Sequence, residues 1–384
     1  MRYYDITIET IGPVHIGSGK EISKKECLYV PQEKKIYIMD EKKMFSRILA
    51  LGKQESFTRY LMDSRQNNLM NFVRDNNISP NEYKKWAAYV LDDIGAVNVG
   101  KSRSKGGGAD NVHAFMKDAY GCPYIPGSSL KGALRTVIQS CLVNYRMDSF
   151  RSERNDIETE QFRRRPSYLS KANQEIAQKL FYTLDRPDAK PHNAVNDCFS
   201  GIRVSDSEPL SVSDLVLCRK TDLLPDYEKE NSISVKRECL KPGTKVKFSL
   251  EIDESLFDID SKKLISYIDD NYIMYHNAYL LMFPEEAQHA PQKGEHLLYL
   301  GGGSGYATKT TVYPMYTEDE INRAVKTVQK IMVDTTSTKR DGDLHKHRFD
   351  FERYEVSPHT LKIAKIGGRI YEMGLCKVDI SEKR

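Results

Sequence analysis

No two of the seven cysteines stand at a spacing that binds metal or builds a disulfide framework. Cys27, Cys122, Cys141, Cys198, Cys218, Cys239 and Cys376 are scattered singly, their number is odd and no C-x-x-C pair occurs. That excludes a zinc ribbon and a stapled secreted scaffold, and leaves reduced, mostly buried thiols as the expectation. Long apolar runs are lacking as well, so no segment has the roughly 20 residues of a membrane span. The opening stretch from Met1 to Ile8 alternates in polarity like a strand and is not the apolar core of a signal peptide. A cytoplasmic protein without membrane contact is expected. Charge of one sign is also missing: 58 Lys+Arg against 54 Asp+Glu leave a net +4, which neither demands nor excludes nucleic acid. What matters is where the bases lie, and they cluster in loops.

What is present suits a folded protein of 384 residues with 39% hydrophobic and 29% charged side chains, enough for one large decorated domain or two smaller ones. Residues 3–10 read as a first strand. Leu28-Tyr29-Val30 and Ile36-Tyr37-Ile38 flank a polar turn and predict a hairpin. From residue 41 to 95 the period changes to helical, with Met44, Ile48, Phe57, Tyr60, Leu69, Phe72 and Val73 in step, and Pro80 opening a last helix that carries Trp86, Val90 and Leu91. Strands follow at 202–204, 215–217, 233–235 and 246–252, then a helix over 262–283, a strand at 297–300, a helix near 318–332 and strands near 361–365 and 369–378. Strands interleaved with long helices, without βαβ spacing, predict an α+β fold. The division expected is 1–310, interrupted by the helical insertion 41–95 and a basic loop within 96–120, and a C-terminal part, 311–384, packing on it.

Three glycine-rich segments share one chemistry. His15-Ile16-Gly17-Ser18-Gly19-Lys20 follows the first strand and exposes amides, a hydroxyl and an ammonium, a set that suits phosphate; a plain strand-to-strand turn is the competing explanation. Pro126-Gly127-Ser128-Ser129-Leu130-Lys131-Gly132-Ala133-Leu134-Arg135 places Ser128 or Ser129 as an N-cap of a helix over 130–145 whose first amides point outward. Lys131 and Arg135 are four residues apart and share a face. Gly132 inside that helix costs about 1 kcal/mol relative to alanine, which a backbone or a polynucleotide passing close to the helix explains. The third, Gly301-Gly302-Gly303-Ser304-Gly305-Tyr306-Ala307-Thr308-Lys309-Thr310, imitates a P-loop, but Thr308 stands where the second glycine is required and the following Thr311-Val312-Tyr313-Pro314 reads as extended. An ATPase is rejected; a glycine loop with a base beside sugar-phosphate remains. Tyr306 is the aromatic placed to stack on a base. Residues 95–111, with Lys101, Arg103 and Lys105, form a long basic loop.

In that order, the opening strand, HIGSG, IPGSSLKGALR and a late glycine-rich loop, spanning 1–310, resemble the RAMP superfamily of CRISPR-associated proteins. The long helical insertion and GGGSGYATKT are most similar to the family of fifth, filament-capping subunits of type III-A (Csm) complexes. The resemblance implies a ferredoxin-like (RRM-type) palm and a non-catalytic, cofactor-free subunit that caps the filament at the 3′ side of the guide RNA and supports guide maturation. It implies as partners the guide RNA, target RNA, a homologous backbone subunit, a small helical subunit and a trimming nuclease. Carried over by motif, His15, Gly17, Ser18, Gly19 and Lys20 lie near RNA, Ser128, Ser129, Lys131 and Arg135 hold phosphates, and Gly302, Gly303, Tyr306 and Lys309 close over the strand. Members of the family interrupt guide–target pairing with a protruding thumb, for which the basic loop with Lys101, Arg103 and Lys105 is the candidate here, without a motif match residue by residue.

Two other classes compete. His15 suits a metal-independent ribonuclease, because an imidazole titrates near working pH, with Tyr29, Lys20 or Lys131 steadying the phosphate. Asp341-Gly342-Asp343-Leu344-His345-Lys346-His347 offers metal-ligand types, but Lys339, Arg340, Lys346 and Arg348 repel a cation, so no metal is expected. A purely structural subunit that docks proteins through 41–95 is the third class.

Overall fold

The computed structural model describes residues 1–65, 68–94, 111–164, 167–226, 231–336 and 347–383. Strand β1 (Arg2–Thr10) buries Tyr4, Ile6, Ile8 and Thr10 on alternate positions, the two-residue period of a sheet with one face inward. Next come β2 (Gly17–Ile22), β3 (Cys27–Val30) and β4 (Lys35–Met39), and then α1 (Glu41–Ala50), α2 (Gln54–Met62), α3 (Leu69–Asp75) and α4 (Pro80–Tyr83). The chain continues through β5 (Ala87–Asp92), β6 (Val112–Phe115), α5 (Gly127–Tyr145), α6 (Arg151–Thr159) and α7 (Ser170–Phe181). The second half holds β7 (Ile202–Val204), β8 (Leu215–Leu223), β9 (Asn231–Leu240), β10 (Lys245–Ile252), α8 (Ser261–Ala278) and β11 (His296–Tyr299). It closes with α9 (Ile321–Thr336), α10 (Asp350–Tyr354), β12 (Leu361–Ile366), β13 (Arg369–Glu372) and β14 (Leu375–Glu382).

Five strands form the palm sheet in the order β11-β14-β1-β10-β7, every pair antiparallel. The run β1-α5-β7-β10-α8 with β1 and β10 at the centre is ferredoxin-like, and α5 lies along α8. The fourth-strand position, beside β1, is taken by β14, which pairs Ile8 with Val378 and Thr10 with Cys376. Residues 375–382 are therefore inside the palm sheet, where the sequence places 311–384 as a part packed upon it. Gly374 explains why the strand expected over 369–378 breaks in two: its φ is +84° and a Cβ there would stand 2.7 Å from the Leu300 carbonyl oxygen. A second sheet, β13-β12-β8-β9-β6-β2, is antiparallel except for β6 beside β9. All of the cysteines but Cys122 are buried, and all are free thiols.

The insertion shares with the β3-β4 hairpin a second hydrophobic core, built from Leu28, Val30, Tyr37, Met44, Ile48, Phe57, Tyr60, Phe72, Val73, Tyr83 and Trp86. It is not wholly helical. Residues 87–92, where the sequence predicts the end of a helix, form β5 on the edge of the β3-β4 hairpin, pairing Ile36 with Leu91 and Ile38 with Tyr89. The apolar positions fit both periods, and the open edge of β4 decides for the strand by supplying partners to its amides and carbonyls.

Trp86 is the only tryptophan and is fully buried in this smaller core, so its fluorescence reports on the insertion. Phe72→Ala is expected to cost about 3–5 kcal/mol locally. In a denaturant titration the tryptophan transition should then move ahead of the far-UV circular dichroism transition; coincident curves before and after substitution would show that insertion and palm unfold as one unit.

Candidate nucleic-acid interface

Segments separated by more than a hundred residues meet in one groove of about 420 Å³. The first contributes Ile16 and Gly17, the helix α5 contributes Ser128, Ser129, Gly132, Ala133 and Thr136, and the late loop contributes Gly301, Gly302, Thr308 and Lys309. The junction between first and third is a backbone crossing. The Gly302 amide donates to the His15 carbonyl at 2.7 Å, and the two residues form an antiparallel bridge. Only glycine permits it, because Gly301 has a φ of +82° and a Cβ there would lie 2.4 Å from the His15 carbonyl oxygen. Within the late loop the Lys309 ammonium hooks back onto the Gly301 carbonyl at 2.7 Å, and the Thr308 hydroxyl donates to Ser304 Oγ at 3.0 Å. Two lining residues besides the glycines, Thr308 and Lys309, therefore come preset by contacts within their own turn.

Helix α5 begins at Gly127, two residues earlier than a Ser128 cap places its first residue and three earlier than a Ser129 cap. Pro126 is the N-cap and neither Ser128 nor Ser129 caps, so both hydroxyls are left on the groove side. Asp206 takes the Gly127 amide at 2.8 Å, and Gly127 is fixed by crowding, since a Cβ there would meet the Val204 and Ser205 carbonyls at 2.3 and 2.4 Å. Gly132 is different. Open space surrounds its Cβ position, so nothing among the described residues requires a glycine there. Lys131 and Arg135 share a face, as their spacing dictates, but that face turns away from the groove. Arg135 pairs with Asp197 at 2.8 Å and lies 4.1 Å over the Phe181 ring, and the Lys131 ammonium sits 5.5 Å over Phe199. Helical phase accounts for the split: Ser129, Gly132, Ala133 and Thr136 occupy one stripe, and 131 and 135 lie more than a quarter turn round.

His15 is turned inward. Its Nδ1–H donates to the Glu238 carbonyl at 2.7 Å, so the lone pair is on Nε2, against Gly17. Burial is the main cause that pulls its pKa down to about 4, aided by the charge of Arg237 and opposed by the bond to the Glu238 backbone. The Glu238 carboxylate beneath it is fully buried and satisfied: it accepts from Tyr89 Oη at 2.6 Å, from the Phe115 amide at 2.8 Å and from the Lys117 ammonium. This network ties β5, β6 and β9 together directly under the first turn. Beyond Gly17, residues 18–20 run on into β2, so the HIGSG segment is the start of a strand as well as a turn. Ser18 donates to the Ala114 carbonyl at 3.2 Å and Lys20 stands 3.7 Å from Glu26.

Several lining residues escape the sequence. Asn271 of α8, Tyr299 at the end of β11 and Thr308 line the groove and also an adjoining cavity of about 610 Å³ walled by Tyr275, Tyr279, Tyr313 and Tyr316. Tyr299 is held from behind by its hydroxyl's bond to the buried Glu372, whose carboxyl burial pushes up to about 7. Helical and strand periodicity mark these aromatics as core, and no local motif tells a core tyrosine from one that walls a cleft. Tyr306, by contrast, packs on the core and accepts from the Thr310 hydroxyl at 3.1 Å, so it is Tyr299 that faces the groove. Gly303 sits against Met373 and Lys220, off the groove floor. Lys101, Arg103 and Lys105, and the segment 95–110 around them, lie outside the described residues. Residues 311–314, read as extended, run into a short 3-10 turn at Tyr313–Met315, which still denies the late loop the helix a P-loop needs.

Comparison with known proteins gives a consistent outcome. Residues 7–306 match the family model of the RAMP superfamily. The chain is 29% identical over 405 residues to the CRISPR system Cms protein Csm5 of Mycobacterium tuberculosis (strain CDC 1551 / Oshkosh), covering 99% of this chain and 98% of that one. It is 29% identical over 317 residues to the Csm5 of Streptococcus thermophilus, covering 80% of each. Among solved structures, a chain of a Csm-crRNA-target RNA ternary complex of a type III-A CRISPR-Cas system, studied by cryo-electron microscopy, superposes with a TM-score of 0.63 at 16% identity, over 98% of this chain and 100% of that one. The crystal structure of T.onnurineus Csm5 gives 0.58 at 16% identity, over 97% and 99%.

Gly301→Ala puts a methyl group into the His15 carbonyl in a left-handed conformation and is expected to cost about 2–3 kcal/mol or to part the loops; thermal melts and amide exchange at Gly302 measure it. For His15 the unfolded chain takes up its proton near pH 6.5 and the folded chain only near 4. Its contribution to stability is thus complete above pH 6.5 and lost as pH falls towards 4, by about 3 kcal/mol. His15→Asn, which keeps a donor near the place of Nδ1, should flatten that part of the stability–pH curve.

Proposed function

The chain belongs to the RAMP superfamily, and from that premise we propose that it is a non-catalytic, RNA-holding subunit of a type III-A (Csm) effector complex, seated at the 3′ side of the guide RNA. The observation that carries the proposal is the groove. The first turn of a helix, two serine hydroxyls and a lysine border it, together with a glycine of the first segment and two of the third. Such a surface suits a polyanion read through its backbone, since hydroxyls, a lysine and side-chain-free glycine backbone admit sugar-phosphate without regard to base. Gly132 gives independent support: the helix carries a residue that weakens it by about 1 kcal/mol at a point where the protein itself leaves room.

On this proposal Gly17, Ser128, Ser129, Gly302 and Lys309 line the path of the strand, and Tyr299 offers an aromatic face beside it. Lys131 and Arg135 meet the RNA where it leaves the groove over the Phe181–Phe199 flank. The basic segment within 96–120 acts as the thumb, and the insertion 41–95 faces a neighbouring subunit, with Phe45 and Leu49 exposed one turn apart on α1. The guide RNA, target RNA, a homologous backbone subunit and the small helical subunit are the partners, and a trimming nuclease is recruited during guide maturation. A ribonuclease built on His15 is disfavoured because its ring is buried and its Nδ1 is committed to a backbone carbonyl. Docking alone, without RNA, leaves the open site at Gly132 unexplained.

Gly132→Ala separates these alternatives. It is expected to stabilise the chain by up to about 1 kcal/mol while weakening guide RNA binding several-fold, read by calorimetry and filter binding. Wild-type affinity should fall linearly on a log–log plot against salt. Affinity that ignores salt, or an unchanged affinity in a stabilised Gly132→Ala, points to docking alone, and RNA cleavage abolished by His15→Asn points to the nuclease.

A further inference from the structure

Away from the groove, three buried metal-ligating side chains converge where the chain turns back from α9 towards β12. His347 is 4% exposed, Asp350 0% and His359 7%. Asp350 opens α10 with His347 one turn before it. The chain then doubles back through Ser357 to bring His359 against the same carboxylate. His347 Nδ1 lies 3.0 Å from Asp350 Oδ2 and His359 Nδ1 lies 2.5 Å from Asp350 Oδ1. The candidate ligand atoms of all three lie within 4.8 Å of one another, and the two imidazole rings stand with centroids 4.8 Å apart.

The surroundings fix this cluster from both sides. Ser357 Oγ donates to Asp350 Oδ2 at 2.7 Å and the His359 amide reaches the same oxygen at 3.2 Å. The Tyr354 ring stacks on His359 with centroids 5.2 Å apart. From α9, Gln329 donates to the Arg348 carbonyl and accepts from the Phe351 amide, each at 2.7 Å. Tyr313, a wall of the aromatic cavity, donates its hydroxyl to the Ser357 carbonyl.

A carboxylate wholly removed from water needs a positive partner. Among the described residues the ion pairs of Asp350 are with these two imidazoles, which bear charge only when protonated. Two imidazoles and one carboxylate, with Nδ1 of both rings aimed at the carboxylate, are also the donor set of a divalent transition ion. An ion there replaces the protons that lie between nitrogen and oxygen, each ring carrying its remaining proton on Nε2, and it supplies the missing charge. Ligand atoms of a tetrahedral zinc site stand about 3.3 Å apart, so the His347–Asp350 contact opens by about 0.3 Å and the His359–Asp350 contact by about 0.8 Å to surround it.

We propose that His347, Asp350 and His359 form a binding site for a divalent transition ion of the zinc class, bound by both Nδ1 atoms, one Asp350 oxygen and a water. The role is structural: the ion pins the turn 347–359 to α9 and, through Ser357 and Tyr313, to the aromatic cavity beside the groove. The basic stretch 339–348 argues against a site within 341–347, but here only His347 comes from it, and the fold supplies the other two ligands. Nothing in this proposal depends on RNA binding.

The test uses full-length chain purified without a polyhistidine tag. Elemental analysis should find about one zinc per chain. After chelation, Zn²⁺ alone at about 100 times its dissociation constant should raise the folding equilibrium constant about 100-fold, seen as a higher melting temperature. Co²⁺ should give the visible absorption of a four-coordinate site. Asp350→Asn keeps the side chain's shape and is expected to weaken Zn²⁺ binding at least about tenfold, as is His359→Ala. Should His359→Ala fail to fold, the Asp350→Asn titration and the wild-type cobalt spectrum still decide. The proposal is overturned if the wild-type chain holds no ion and Zn²⁺ leaves its melting unchanged, or if Asp350→Asn responds to Zn²⁺ as the wild type does.

Discussion

One hydrogen bond, from the Gly302 amide to the His15 carbonyl, decides whether glycine-rich segments nearly three hundred residues apart make one surface. It exists because Gly301 adopts a backbone conformation closed to other residues and because no side chain there fends off the opposing carbonyl. Everything on the groove side follows from that contact. The late loop is brought to the foot of β1, its Lys309 is folded over Gly301, and α5 presents its N-terminal serines opposite. The late loop leaves β11 of the palm sheet, and the same bond ties it to the segment between β1 and β2.

Below that crossing the support is electrostatic. Glu238 would be a costly buried charge on its own, but an ammonium, a phenol and an amide satisfy it, and removal of Lys117 would expose the cost at about 3–5 kcal/mol. Its backbone carbonyl holds His15 in one tautomer. The groove itself carries little net charge. Amides, hydroxyls and one lysine suit a ligand whose charge is evenly repeated along its length, and they leave base identity unread.

How much of this was legible in the sequence follows from the range of each interaction. β1, the β3–β4 hairpin, β10 and α8 are set by local alternation or helical period, and the sequence predicts them within a few residues. The three motifs are likewise local, since glycine and serine density is visible without a fold. Their convergence is not local. Neither is the phase of α5, which turns Lys131 and Arg135 onto the Phe181–Phe199 flank although their mutual spacing is read correctly. β5 was hidden because Trp86, Val90 and Leu91 satisfy a helical period, and only the vacant edge of β4 breaks the tie. A strand is expected across the start of β14, but its place was hidden, because a partner for β1 can come from any point in the chain. Asn271 and Tyr299 belong to elements that periodicity marks as core, so their second role, lining a cleft, needed coordinates.

The most direct measurement is photo-cross-linking of one thiouridine-substituted guide RNA to the chain, followed by peptide mapping. A continuous track should yield adducts within 15–20, 127–137 and 301–309, from neighbouring nucleotides of the same strand, and Gly301→Ala should scatter or abolish the first and third together. Adducts confined to the flank of Lys131 and Arg135, or to the insertion 41–95, with none in the three glycine-rich segments, would contradict it.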